Sequence, residues 1–73
     1  MSQALDPATR LARLAVEVRT RREVLGLTLR ECASQTGVSI NTFFRVERGL
    51  PMTAETYLRL AAWLEGWTGR VDP

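Results

Sequence analysis

Three residues, Gly37-Val38-Ser39, separate two segments with helical patterning. So short a link cannot lay two helices side by side as an antiparallel hairpin; it forces a steep crossing. Upstream, Thr28-Leu29-Arg30-Glu31 has the pattern of a capping box, in which Thr28 and Glu31 satisfy each other's free backbone donors. Downstream, Ser39 is placed to cap a helix that runs to about Arg48 and stops at Gly49. Ala33 fits this corner, because a small side chain lets the two helices approach closely. Alanine is also simply a good helix former.

The remaining chain is punctuated in the same way. Asp6-Pro7 is an N-cap followed by proline in the first turn. Leu11, Leu14, Val18 and Leu25 then recur in helical rhythm until Gly26. A short second helix is predicted over about 29–36, ended by Gly37. Leu50-Pro51-Met52 leads to a fourth start at Thr53, with an end near Gly66. Three pairs are spaced as hydrophobic staples: Leu27 with Cys32, Val38 with Phe43, and Met52 with Tyr57. Trp67 is expected to fold back over Ala61 and Ala62. The fold class expected is all-α, a compact bundle of four to five helices. One domain is expected over 6–67, between a loose N-terminus (1–5) and a C-terminal tail (68–73).

Composition excludes several functions. The chain has 73 residues, enough for one small core. There is no histidine, so the commonest general base and metal ligand is missing. Cys32 is the single cysteine, which rules out an internal disulfide and a cysteine-built zinc site. No Gly-rich phosphate loop or catalytic carboxylate pair is present. Catalysis is therefore not expected, and neither a cofactor nor a metal is implied. No apolar run approaches the roughly 18 residues of a membrane span. A soluble, cytoplasmic protein is the expectation.

The net charge of +2 is mild, but its make-up is informative. All ten basic residues are arginine, and six lie between Arg10 and Arg30. Genome composition alone could produce this bias. Arginine also grips phosphate and guanine edges with a planar fork. The lopsided distribution is what a polyanionic partner would favour.

Phe43 and Phe44 adjoin in the third helix, and helical neighbours point about 100° apart. If Phe43 faces inward, Val46 and Glu47 share its side. Asn41, Phe44, Arg45 and Arg48 then cluster on the opposite side, with Ile40 between. Asn can pair with adenine, Arg with guanine, and apolar groups with thymine methyls. Such a face suits the reading of base edges. A dimer contact or a small satellite cluster would also account for an outward Phe44. Glu47 on the inward side needs a partner. Arg22 interrupts the apolar stripe of the first helix and is the natural one.

The stretch GLTLRECASQTGVSINTFFRVERG resembles the helix-turn-helix of the phage repressor and Cro family, the XRE-like regulators. The resemblance covers roughly residues 10–65. Leu27, Thr28, Ala33, Gly37, Val38, Ser39, Glu47 and Gly49 match its pattern, and Arg22 falls where the family places the basic partner of the glutamate. The resemblance implies a lambda-repressor-like bundle with the helix-turn-helix at 28–48. It implies a transcriptional regulator, most often a repressor, bound as a homodimer to a palindromic double-stranded DNA operator. Half-sites would lie about 34 Å apart, with helix 40–48 in the major groove. By analogy Ser39, Ile40, Asn41, Phe44 and Arg45 approach bases. Thr28, Leu29, Arg30, Arg48 and Thr53 approach phosphates. Four positions depart from the pattern. Leu29 stands where glutamine is frequent, Cys32 where leucine is usual, Thr36 where an apolar residue is common, and Phe44 where a polar one is typical. No known target sequence therefore carries over.

A second function fits the same fold: a protein-binding module, such as an antitoxin or a phage-type inhibitor, using Trp63 and Trp67 or Phe44. Tryptophan often dominates such interfaces. With no effector domain after the fourth helix, control by protein concentration rather than by a small molecule is expected.

Overall fold

The computed structural model of the chain describes residues 6–68, with side chains described as far as Glu65. Among these residues there are four helices: α1 (Pro7–Leu25), α2 (Leu29–Thr36), α3 (Ile40–Glu47) and α4 (Ala54–Thr68). The chain is all-helical over this span, at the lower end of the expected count. None of these helices is long and apolar enough to cross a membrane.

Each helix starts where a short polar side chain can accept from the free amide three residues on. Asp6 accepts from the Thr9 amide at 2.7 Å. That bond holds the Asp6 carboxyl below its ordinary range. Thr28 accepts from the Glu31 amide at 3.1 Å, and Glu31 accepts from the Thr28 amide at 2.8 Å, which completes the capping box. Ser39 and Thr53 accept from the amides of Thr42 and Thr56, each at 3.1 Å. The end of α1 is closed by Leu27 and Gly26, whose amides donate back to Arg22 and Glu23. Beyond α3, Leu50 donates to Arg45 and Gly49 to Val46 in the same pattern.

The core is made of Leu14, Val18, Cys32, Val38, Phe43, Val46 and Leu60, with Leu27, Leu29, Met52, Trp63 and Leu64 packed on it. Two of the staple pairs, Leu27 with Cys32 and Val38 with Phe43, fall inside this cluster. The third is looser: Met52 reaches the core, but Tyr57 stays largely exposed. Burial pushes the Cys32 thiol up in pKa and keeps it protonated. Thr36 is buried where an apolar residue was the expected type. Its hydroxyl donates to the Cys32 carbonyl at 2.8 Å and accepts from the Val38 amide at 3.1 Å. It thereby satisfies a turn amide that would otherwise be buried without a partner.

Two sequence expectations need correction. Leu25 lies outside the core, 42% exposed, although it continues the stripe of Leu14 and Val18. α1 spans about 28 Å at 1.5 Å per residue, while α3 beneath it is less than half as long. The last turn of α1 therefore overhangs, and Leu27, past the reversal, packs on the core instead. The fourth helix also continues through Gly66 to Thr68, because an interior glycine weakens a helix without ending it. The Trp67 side chain and the ends 1–5 and 69–73 lie outside the described residues.

Gly37 makes the corner possible. Its φ of +78° is left-handed, and a Cβ there would come 2.7 Å from Nη1 of Arg59 on α4. The arginine tip can move aside, so the backbone conformation sets the penalty. Gly37→Ala is expected to cost about 1–2 kcal/mol. The urea midpoint should fall while the denaturant slope stays unchanged.

Candidate nucleic-acid interface

α3 has two opposed faces. Phe43 is fully buried and its neighbour Phe44 is 50% exposed. Val46 and Glu47 are buried on the Phe43 side. Asn41, Phe44, Arg45 and Arg48 fall at i, i+3, i+4 and i+7, one face of a helix, and all are exposed. Ile40 is half-buried at its edge. The Arg48 guanidinium lies 5.4 Å from the centre of the Phe44 ring, a cation–π distance. An amide, an aromatic ring and two guanidiniums thus share a solvent-facing strip.

The residues at the helix starts differ in what they can still offer. Ser39 accepts from the Thr42 amide and donates to the Thr42 hydroxyl at 2.9 Å. Thr53 does the same with Thr56, its hydroxyl donating at 3.0 Å. Both hydroxyl protons are engaged in the caps. Thr28 accepts from the Glu31 amide, and Arg30 beside it is exposed. Leu29 is half-buried against the core, so only its backbone amide at the α2 start could reach a phosphate.

Behind α3, Arg22 holds the Glu47 carboxylate in a two-pronged bond, Nε to Oε2 at 2.6 Å and Nη2 to Oε1 at 2.9 Å. The two side chains are 22% and 10% exposed. Hydrogen bonding to Glu47 raises the Arg22 pKa above its ordinary value, with a smaller contribution from Glu23. Arg22 Nη1 also donates to the Leu27 carbonyl at 3.3 Å. One guanidinium therefore joins α1, the reversal before α2 and the end of α3, fixing where α3 sits.

Two arginines not singled out from the sequence also serve here. Arg19 Nη2 donates to the Glu47 backbone carbonyl at 2.8 Å, and its Nε lies 4.0 Å from Glu47 Oε1. Its spacing of three from Arg22 puts both on one face of α1, a signal the sequence did carry. Arg21 donates to the Trp63 backbone carbonyl, and its guanidinium lies 4.4 Å from the Trp63 ring centre. Burial lowers the Arg21 pKa. Trp63 in turn meets Phe43 edge-on at 5.9 Å and donates from Nε1 to Gln35 at 3.0 Å. Its ring and its polar handle are thus engaged within the monomer, clamping α4 to α1, α2 and α3.

Two helices joined by a glycine-led turn, with the second presenting a polar and basic face, define a helix-turn-helix domain of the DNA-binding kind. The helix-turn-helix domain family model matches residues 13–66, well over half of the chain. The chain belongs to the helix-turn-helix domain family. No curated protein and no solved structure matches it.

Proposed function

We propose that this protein is a sequence-specific transcriptional regulator of the repressor and Cro type. It acts as a repressor, binding a palindromic operator as a homodimer with α3 in the major groove. One observation carries this reading: the exposed strip Asn41, Phe44, Arg45 and Arg48, backed by the buried face Phe43, Val46 and Glu47. In this reading Asn41 and Arg45 supply directed hydrogen bonds to base edges, and Ile40 and Phe44 supply apolar contact to thymine methyls. Ser39 contributes chiefly by fixing the α3 start, since its hydroxyl proton is engaged with Thr42. Thr28, the Leu29 amide, Arg30 and Arg48 meet phosphates, and Thr53 orients the start of α4 nearby. Phosphate contacts set register and affinity; base contacts set preference. The protein would then work in the cytoplasm, on the chromosome.

The test begins with selection of a preferred duplex from a random pool. On that duplex Arg45→Ala and Asn41→Ala are each expected to lose about 1–3 kcal/mol and to relax preference at one position. Arg48→Ala should weaken all duplexes alike. Affinity of the parent protein should fall steeply between low and moderate salt. A pool with no enrichment, together with salt-independent binding, would overturn the reading. The protein-binding alternative predicts that second outcome. It would draw on Trp67, on Phe44, or on the part of Trp63 left exposed by its contacts to Phe43, Gln35 and Arg21.

A further inference from the structure

We infer that the DNA-binding surface extends onto α1 through Arg19, whose guanidinium meets a backbone phosphate beside the C-terminal end of α3. The inference rests on the DNA-binding reading above and adds a contact outside the helix-turn-helix.

Three observations carry it. First, Arg19 is held in place. Its bond to the Glu47 carbonyl at 2.8 Å holds the guanidinium at the C-terminal residue of α3, the one before Arg48. Second, its charge is only partly offset there, by an ion pair to Glu47 at the outer limit of such contacts. Arg22 takes both oxygens of the Glu47 carboxylate, at 2.6 and 2.9 Å. Arg19 Nε stands 4.0 Å from the nearer oxygen, beyond hydrogen-bond range. The bond to the carbonyl uses one of its several N–H donors, and half of the side chain is exposed. Third, the region carries excess positive charge. Arg19 and Arg22 share the single carboxylate of Glu47, which leaves one positive charge in excess at the end of α3, and Arg48 follows Glu47 directly in the chain. An anion placed there would meet that excess charge favourably. A phosphate running past Arg48 would meet the Arg19 fork already oriented.

The experiment measures binding of a labelled 30-base-pair duplex of random sequence by fluorescence anisotropy, over a series of sodium chloride concentrations. Arg19→Gln should reduce the slope of log affinity against log salt by about 0.9, the loss of one phosphate neutralised. Arg13→Gln, the same charge change on the part of α1 that faces Tyr57, should leave the slope as it was. Arg19→Lys should keep it too. In the unsubstituted protein the Arg19 Nε–Hε resonance should shift when duplex is added, and the Arg13 resonance should not. That measurement stands even if Arg19→Gln folds poorly. A steep slope in the parent with an unchanged slope in Arg19→Gln would show that Arg19 only closes the end of α3, and the inference would fall alone. Equal losses in Arg19→Gln and Arg13→Gln would assign the effect to net charge and overturn it as well. A flat slope in the parent would instead remove the DNA-binding reading itself.

Discussion

Phe43→Ala is expected to cost about 4 kcal/mol of folding stability. Phe43 is completely buried and is the largest side chain at the centre of the core. Truncation removes its transfer free energy and leaves a cavity that α1, α3 and α4 cannot all collapse into. It also removes the edge-on contact with Trp63 at 5.9 Å, which adds roughly 0.5–1.5 kcal/mol beyond buried area. A domain of this length has on the order of 4–11 kcal/mol in total, so the variant should be partly unfolded at room temperature. Phe44→Ala is the internal comparison. Its ring is half exposed, with the Arg48 guanidinium 5.4 Å from its centre. Its cost should stay within about 0.5 kcal/mol. Urea unfolding followed by helical circular dichroism measures both. Equal costs for the two phenylalanines would mean that α3 is not oriented as described.

Glu47→Ala should be almost as damaging, at about 3 kcal/mol. The carboxylate is 10% exposed and is the bidentate partner of Arg22, itself 22% exposed. Without it the Arg22 guanidinium keeps only its long bond to the Leu27 carbonyl and loses its counter-charge. The magnitude is set at the low end for buried pairs because part of Arg22 still reaches water. Arg22→Met in the same protein leaves Glu47 with only the more distant Arg19, and should cost a similar amount. Replacing both, as Arg22→Met with Glu47→Leu, should recover most of the loss, since an apolar pair is often as stable as a buried ionic one. A double-mutant cycle closed with the single Glu47→Leu and Arg22→Met variants should then be strongly non-additive, the double variant costing less than either single. Strictly additive losses would show that the two side chains do not act as a pair. The double variant would also separate stability from placement: a refolded protein with weakened DNA binding would mean that the ion pair positions α3 rather than merely holding the fold together.

The outward strip of α3 was legible because a helix has a fixed angular step. With Phe43 inward, that step turns Asn41, Phe44, Arg45 and Arg48 outward. Glu47 and Arg22 were legible for the opposite reason, since each broke the apolar pattern of its own helix. Leu25 shows where the pattern misleads. Periodicity gives direction around an axis but not how far a neighbouring helix extends along it. Leu29 shows the same gap: the resemblance placed it toward phosphate, and its side chain packs on the core, which leaves its backbone amide for that role.

By itself the sequence determined where each helix begins and the corner between α2 and α3. Caps, boxes and glycine reversals act over three to five residues, so neighbouring chain alone satisfies them. Only the tertiary structure decided that Arg19 reaches the Glu47 carbonyl, that Arg21 lies over Trp63, that Trp63 bonds Gln35, and that Arg59 covers Gly37. These partners are about 22–42 residues apart in the chain. Contacts at that separation depend on how the helices dock to within an ångström, and hydrogen bonds fail beyond that tolerance.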